Sequence, residues 1–192
     1  MKPKQITIDL NADLGEYQSK NQYFIECQIL SHISSCNIAC GGHAGDEKSM
    51  QKMILACKQK DVAVGAHPSY PDREGFGRRK ITIDNSTLKE SVINQLRSFL
   101  FLSEALNVPI SHVKAHGRLY NDAANNKNLA DLLVNVINEV LTFCFNSLIA
   151  NNISSLLTTL GNTLQNCSCR ISIHQRTVIL VSSIEKSLSN KI

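Results

Sequence analysis

The sequence contains no apolar run long enough to cross a bilayer, and its first residues lead into a strand-like segment rather than a signal peptide. We therefore expect a cytoplasmic protein with no membrane partner. The net charge is only +4, the basic residues are scattered and aromatic residues make up 5% of the chain, which argues against nucleic-acid binding. The seven cysteines, an odd number, indicate free thiols rather than a disulfide framework.

Motifs of common nucleotide-binding and serine-hydrolase sites are absent as well. The sequence has no Gly-x4-Gly-Lys-Ser/Thr phosphate loop, no Gly-x-Gly-x-x-Gly turn after a strand and no Gly-x-Ser-x-Gly elbow. If the protein uses ATP, its sequence therefore offers no recognisable segment to bind it. With 192 residues, 43% of them hydrophobic, the chain is nevertheless long enough to bury the core of a soluble domain.

Strand-like and helix-like segments alternate along the first part of the chain. Short apolar runs bounded by turn residues predict strands at about residues 5–10, 36–40, 62–66 and 110–114. Amphipathic helical patterns lie between and after these runs, and we expect the helices to be capped by Asp46, Thr87 and Asn128. This alternation predicts an α/β fold with parallel strands joined by right-handed crossovers.

The composition changes near residue 140. All four prolines and eight of the nine glycines precede residue 118, whereas residues 141–192 contain five charged residues and little clean periodicity outside residues 177–182. We therefore expect two regions, an α/β portion over residues 1–140 and an atypical tail over residues 141–192.

The predicted strands are followed by clusters of ionisable residues at 9–16, 37–46, 65–72 and 112–117. Barrels of the α/β class assemble their active sites from the ends of several strands, so these clusters favour an enzyme. Because side chains alternate along a strand, Asp9, Asn11 and Asp13 share one side, as do His112, Lys114 and His116. A single acidic residue could merely cap a turn, and His112 could be a core histidine, but two aligned triplets favour a site.

The individual motifs leave several roles open. His112 and His116 could bind a metal, or the segment could place Lys114 to stabilise an oxyanion. Pro68 fixes a turn that presents His67, and Asp72 is close enough in sequence to orient an imidazole. The spacing of Cys36 and Cys40 before His43 resembles a zinc motif. We interpret the two cysteines as buried thiols and His43 as the functional residue of that segment.

Residues 9–16, 37–46, 65–79 and 112–121 together closely resemble the LamB/YcsF family, which supplies the A component of bacterial ATP-dependent 5-oxoprolinase. The resemblance covers about residues 5–140. It implies a TIM-barrel-like parallel (β/α) barrel of the glycoside hydrolase/deacetylase type in a cytoplasmic enzyme that acts with partner subunits B and C. The implied reaction opens the lactam of 5-oxo-L-proline to L-glutamate and is coupled to ATP hydrolysis, with ATP bound with or by the partner subunits.

Two departures from the family pattern stand out. Ala115 replaces the proline of the family's Lys-Pro-His-Gly sequence, which would loosen the turn that holds His116. Family members also continue well beyond position 140, whereas residues 141–192 do not resemble that region. We therefore expect a barrel that is incomplete at the C-terminus, through truncation or a shifted reading frame, and consequently unstable or prone to aggregation.

The resemblance and the clusters together give a set of candidate site residues. The catalytic candidates are Asp13, His67, Asp72, Lys114 and His116, and the substrate-binding candidates are Asn11, Glu16, His43, Arg78, His112, Tyr120 and Asn121. By analogy with deacetylase barrels, a divalent metal would be held by Asp13, His43 and His67.

In the hypothesis drawn from this set, His67 or His116 is the general base, oriented by Asp13 or Asp72. A cationic side chain, Lys114 or Arg78, neutralises the substrate carboxylate or the oxyanion. The alternatives are a metal-dependent, deacetylase-like amide or sugar hydrolase that uses no ATP, and an inactive remnant or binding subunit.

Overall fold

The computed structural model describes the backbone of residues 8–156, 170–174 and 177–181, and the side chains of residues 8–142. The strands are β1 (Asn11–Leu14), β2 (Ser35–Ala39), β3 (Ala63–His67), β4 (Ile110–Val113), β5 (Arg170–His174) and β6 (Thr177–Val181). The helices are α1 (Lys20–Ile29), α2 (Glu47–Lys60), α3 (Asn85–Ala105), α4 (Gly117–Asn125) and α5 (Lys127–Leu156).

The sheet has the strand order β1-β2-β3-β4-β6-β5. Its first four strands are parallel neighbours in chain order, and each is joined to the next through one of the helices α1, α2 and α3. Parallel strands that follow one another in this way form the wall of a (β/α) barrel, so the predicted α/β class is confirmed. On the far side of β4 the sheet continues as an antiparallel pair, β6 and β5, and it therefore stays open among the described strands.

The first strand lies later than predicted. The prediction placed it at residues 5–10, but residues 8–10 are not a strand and residues 5–7 lie outside the described part of the chain. Instead β1 begins at Asn11 and pairs with β2, with Asn11 opposite Ser35. The apolar pattern misled the prediction because this edge strand is held partly by polar side chains, whereas the other three predicted strands are shifted by one residue at most.

The helix caps agree with the prediction for α2 and differ for α3. Asp46 caps α2 as predicted, and its carboxylate accepts a hydrogen bond of 2.7 Å from the backbone N–H of Ser49. For α3 the predicted cap Thr87 is wrong, because Asp84 lies one turn earlier and accepts from both the backbone N–H and the hydroxyl of Thr87. Thr87 thus lies three residues after the cap and is its hydrogen-bond partner.

The cap predicted for the last helix, Asn128, is also wrong, because the capping residue lies slightly earlier in the sequence. The side chain of Asn126 accepts a hydrogen bond of 3.2 Å from the backbone N–H of Leu129, and α5 begins at Lys127. This helix continues through residue 140, so the change in composition there is not accompanied by a break in the backbone. The division into residues 1–140 and 141–192 stays a prediction.

The core lies between one face of the sheet and the helices. Helix α3 packs against α2 and α5, and the apolar side chains beneath them are fully buried. Among the largest of these are Ile38, Met53, Ile54, Phe99 and Val136. The other face of the sheet carries polar residues, including the buried Asn37, together with His112 and Gly65. A Cβ atom on residue 65 would overlap the imidazole of His112, so only glycine allows that ring to lie there.

The described cysteines are free, as predicted. They are Cys27, Cys36, Cys40 and Cys57, and the other three lie outside the described side chains. Cys36 and Cys40 are buried, and burial raises the pKa of the Cys40 thiol to about 12. These two cysteines are therefore core residues.

Across the described part of the chain, none of the helices combines the length and the apolar character that a membrane span requires.

Candidate active site

The candidate residues meet where the parallel strands end. Asp13 lies in β1 and His67 closes β3, while Lys114 and His116 follow β4 directly. These four side chains line one cleft of about 490 Å³. Its other walls include three of the predicted substrate-binding residues, Arg78, Tyr120 and Asn121. The structure therefore brings together residues that are more than one hundred positions apart in the sequence.

Beneath the cleft lies a cluster of three buried imidazoles, which we call the histidine cluster: His43, His67 and His116. The rings of His43 and His116 are stacked, with centroids 3.6 Å apart and planes only 3° from parallel. The ring of His67 stands perpendicular to both, at 5.5 and 4.8 Å. Phe76 packs edge-on against the stacked pair, which closes the cluster against solvent on that side.

The hydrogen bonds of His67 and His116 fix their tautomers. Nδ1 of His67 lies 2.7 Å from the carbonyl oxygen of Lys114, and Nε2 of His116 lies 3.0 Å from that of Phe76. Because carbonyl oxygens only accept, both of these nitrogens carry hydrogen. The remaining nitrogens, Nε2 of His67 and Nδ1 of His116, face each other at 3.0 Å. In neutral rings both would present lone pairs, so this contact requires a proton or another cation between them.

Two carboxylates flank the histidine cluster. Glu16 accepts a hydrogen bond of 2.9 Å from Nε2 of His43 and lies 3.6 Å from Nδ1 of His116. Asp13 lies 3.4 Å from Nε2 of His67, and its other oxygen accepts bonds of 2.7 Å from Lys114 and from Asn37. The cluster therefore sits between two negative charges, one on each side.

The pKa values follow from this arrangement. Burial alone would raise the pKa of Asp13, but its contacts with His67, Lys114 and Asn37 outweigh that effect and lower it, so the carboxylate is ionised. Burial lowers the pKa of His43 and of His112. Burial, reinforced by the neighbouring imidazoles His43 and His67, lowers the pKa of His116 to about 4. At neutral pH this lowered pKa disfavours the protonated form of His116.

The predicted role of Asp72 is wrong in this structure. Its buried carboxylate pairs with the guanidinium of Arg79 and accepts from the backbone N–H of Gly75 at 2.9 Å, instead of binding an imidazole. The ion pair with Arg79 lowers the pKa of Asp72. The turn after Pro71 directs the side chain back into its own loop, so Asp72 holds the loop that carries Phe76 and Arg78.

Asn11 and His112 lie deeper than predicted for substrate-binding residues. Both bind the amide of Asn37, and the imidazole Nε2 of His112 lies 2.6 Å from its oxygen. Asn37 also donates to Asp13, so the three strands β1, β2 and β4 are connected beneath the cleft. Neither Asn11 nor His112 is among the residues that line the cleft, and their described contacts indicate a supporting role.

Sequence reasoning missed two residues that hold the site. Asn37 offered a signal in the sequence, since it is an amide residue inside an apolar strand-like run. Glu26 offered none, because it lies on α1, a helix that was not predicted. Its carboxylate accepts hydrogen bonds of 2.6 and 3.2 Å from the backbone N–H groups of Gly15 and Glu16, and so fixes the turn from which Glu16 enters the cluster.

The donor atoms suited to a metal differ from the predicted set. Among the described residues, one group offers ligand atoms that all lie within 4.8 Å of one another: Glu16, His43, His67 and His116. Asp13 was predicted as a ligand but is not in this group. One of its oxygens accepts hydrogen bonds from Lys114 and Asn37 instead. His43 and His67 remain from the prediction, and Glu16 and His116 replace Asp13.

Comparison with known proteins identifies relatives of this chain. It is 46% identical over 123 residues to a protein of Campylobacter jejuni subsp. doylei and 43% identical over 133 residues to one of Histophilus somni, and both relatives are named as the A component of 5-oxoprolinase. These alignments cover 64% and 69% of this chain, and 48% and 52% of the relatives. The chain thus spans about half the length of the curated relatives it matches.

A solved structure gives the same picture. The lactam utilization protein of Thermus thermophilus matches with a TM-score of 0.62 and 33% sequence identity, over 69% of this chain and 53% of that protein. The match agrees with the TIM-barrel-like fold expected from the sequence. The profile of the LamB/YcsF family matches residues 8–166, which extends past the predicted boundary at residue 140. This chain belongs to the LamB/YcsF family.

Proposed function

We propose that this chain acts as the A component of a cytoplasmic 5-oxoprolinase and opens the lactam of 5-oxo-L-proline to L-glutamate. In this proposal subunits B and C assemble with it, and ATP, bound with or by them, is hydrolysed in the reaction. The names of the relatives support the substrate class. The observation that carries the proposal is the cleft, in which cationic side chains and the histidine cluster meet at the ends of β3 and β4.

The charges of the cleft suit a small anion. Lys114 is held by Asp13 at 2.7 Å, and Arg118 by Asp122 at the same distance. The guanidinium of Arg78 lies over the ring of Phe76, and the described residues give it no carboxylate partner within ion-pair distance. We assign the substrate carboxylate to Arg78, and the developing oxyanion at the lactam carbon to Lys114.

The reaction needs activation because amide resonance makes a lactam a poor electrophile. Phosphoryl transfer from ATP to the lactam oxygen would raise the reactivity of the ring carbon. Water then adds to that carbon and gives a proton to the facing nitrogens of His67 and His116, with Asp13 stabilising the imidazolium. Cleavage of the carbon–nitrogen bond, with protonation of the nitrogen, gives the amine and an acyl phosphate. A second water then hydrolyses the acyl phosphate, which releases phosphate and leaves the carboxylate of L-glutamate.

A second candidate function rests on the four donor atoms that converge beneath the cleft. They favour a metal-dependent amide or sugar hydrolase of the deacetylase kind, which would use the same cleft without ATP. The two functions differ in what they require. Omission of ATP would abolish the first activity and leave the second unchanged.

The test is the release of L-glutamate from 5-oxo-L-proline by the chain assembled with subunits B and C in the presence of ATP. We expect His67→Ala to lower kcat by about 100-fold or more, since a positioned proton acceptor contributes on this scale. The matched control is His32→Ala, which changes an exposed histidine and should retain the rate. Undiminished turnover by a folded His67→Ala variant would refute the assignment.

A further inference from the structure

We infer that Glu16, His67 and His116 bind one divalent transition-metal ion such as Zn²⁺, and that His43 positions Glu16 rather than binding the ion. This inference deepens the proposed function by naming a cofactor at the same site, and it rests on that function only for the identity of the substrate. The direction of each lone pair and the hydrogen-bond partner of each ligand support it.

The two imidazole ligands present unprotonated nitrogens to the same point. Nε2 of His67 and Nδ1 of His116 are 3.0 Å apart, and the other nitrogen of each ring is committed as a donor to a backbone carbonyl. Their rings are perpendicular, at 89°, so a cation can lie in the plane of both. Both rings are buried, and a metal ion at this point would satisfy both lone pairs.

Glu16 supplies the third donor. Its oxygen lies 3.6 Å from Nδ1 of His116, and its ligand atom is within 4.8 Å of that of His67. Bonds of about 2.0–2.1 Å in a tetrahedral zinc site place neighbouring ligand atoms about 3.4 Å apart. The His67–His116 and Glu16–His116 separations lie on either side of this value.

The stacking of His43 excludes it as a ligand beside His116. Two rings that are 3.6 Å apart and nearly parallel cannot both direct an in-plane lone pair at one ion between them. Nε2 of His43 faces the carboxylate of Glu16 at 2.9 Å and therefore carries hydrogen. His43 thus orients Glu16, and its own buried Nδ1 has no hydrogen-bond partner among the residues that the structure describes.

Each proposed ligand consequently has one hydrogen-bond partner that does not itself contact the ion. His67 donates to the carbonyl of Lys114, His116 to that of Phe76, and Glu16 accepts from His43. Such partners fix the tautomer and the direction of metal ligands. Two imidazoles, one carboxylate and an open side are the donor set of hydrolytic zinc sites. His67 and His116 both line the cleft, so the open side faces the place proposed for the substrate.

A bound ion of this kind supplies Lewis acidity at the cleft. It also changes the role of the chain's own residues, because His67 and His116 become ligands and no longer take a proton from water. Metal-loaded and metal-free protein therefore differ in which group accepts that proton.

The test uses the complete chain, stripped with a chelator and titrated with ZnCl2 by calorimetry and with CoCl2 by absorption spectroscopy. We expect one ion per chain and a visible cobalt spectrum without the thiolate charge-transfer band that cysteine ligation would give. Glu16→Gln and His116→Gln should abolish stoichiometric binding. His43→Gln should weaken binding by about 10–100-fold, as expected for loss of an outer partner.

Asp13→Asn is the matched control and should bind one ion, since Asp13 lies outside the donor group. Circular dichroism of each variant separates loss of ligands from loss of fold. Absence of stoichiometric binding by the folded wild type, or binding by His116→Gln as tight as wild type, would overturn the inference. Loss of binding in Asp13→Asn and not in Glu16→Gln would also overturn it. Calorimetry requires no substrate, so its outcome is independent of the lactam assay.

Discussion

At the scale of single residues, the geometry of the site depends on positions where an additional side-chain atom would not fit. Gly65 lies in β3 under the imidazole of His112, and that ring reaches across it to Asn37. Asn37 in turn holds Asp13. A change at a residue that never touches substrate is therefore expected to move a carboxylate in the cleft.

We predict that Gly65→Ala destabilises the fold by about 1–3 kcal/mol, the usual cost of overpacking, because the new Cβ would overlap the His112 ring. Urea unfolding measures the change. Ala63→Ser, at an exposed position of the same strand, is the control and should be close to neutral. A Gly65→Ala variant as stable as wild type would show that His112 does not lie over residue 65.

The buried histidines predict a pH dependence. Burial lowers the pKa of His43, His112 and His116 in the folded state, the last to about 4. Below about pH 6.5 the unfolded chain therefore binds protons that the folded chain excludes, and the free energy of unfolding must decrease as the pH falls. For His116 the loss should be complete near pH 4 and is on the order of 3 kcal/mol.

Unfolding in urea with chelator present, at pH 7.5, 6 and 5, measures this dependence. His32→Gln, which changes an exposed histidine, should leave the profile as it is. Equal stability at pH 7.5 and pH 5 would contradict the description of the imidazoles as buried and neutral.

At the scale of elements, helix starts depend on single side-chain hydrogen bonds. We predict that Asp84→Ala lowers Tm by roughly 2–5 °C because it removes the cap of α3. Asp84→Asn should retain most of the stability, since the amide oxygen still accepts from the backbone of Thr87. If Thr87→Val destabilises more than Asp84→Ala, the assignment of Thr87 as the cap is the better one.

The elements also show what the sequence can and cannot predict. Apolar periodicity predicted α2, α3, α5 and three of the strands, because those elements bury apolar faces. It missed β1, whose position depends on pairing with β2 and on polar contacts such as that between Asn11 and Asn37. It also missed α1 and hence Glu26, since a contact between a helix and a distant turn leaves no local pattern.

For the site, alternation along a strand predicted that His112, Lys114 and His116 share one side, but β4 ends at Val113, so strand geometry applies only to His112. It could not distinguish which of them reach the cleft. His112 turned out to support Asn37, whereas Lys114 and His116 line the cleft. The choice between Arg79 and an imidazole as the partner of Asp72 depended on the path of a loop, which spacing alone does not determine.

At the scale of the whole molecule, the described sheet is open and the chain spans about half the length of its relatives. Large apolar side chains are exposed, including Ile8, Leu10, Phe24 and Phe101. An open strand edge together with exposed apolar groups favours association between chains. We therefore predict that the folded chain self-associates through these surfaces when partner subunits are absent.

Far-UV circular dichroism, size-exclusion chromatography and limited proteolysis measure this property. Assembly with subunits B and C should increase resistance to protease if those subunits cover the exposed surface. A monomeric chain that unfolds cooperatively and resists protease on its own would exclude the remnant alternative and contradict this prediction.

In the proposed function, side chains from β3 and from the segment after β4 act on one substrate in one cleft. A double-mutant cycle on ATP-dependent L-glutamate release, with His67→Ala, Lys114→Met and the double variant, tests it most directly. The expected result is strong non-additivity, with the double variant scarcely slower than the slower single variant. Losses that simply multiply, in folded and assembled proteins, would show that His67 and Lys114 act independently and would contradict the account.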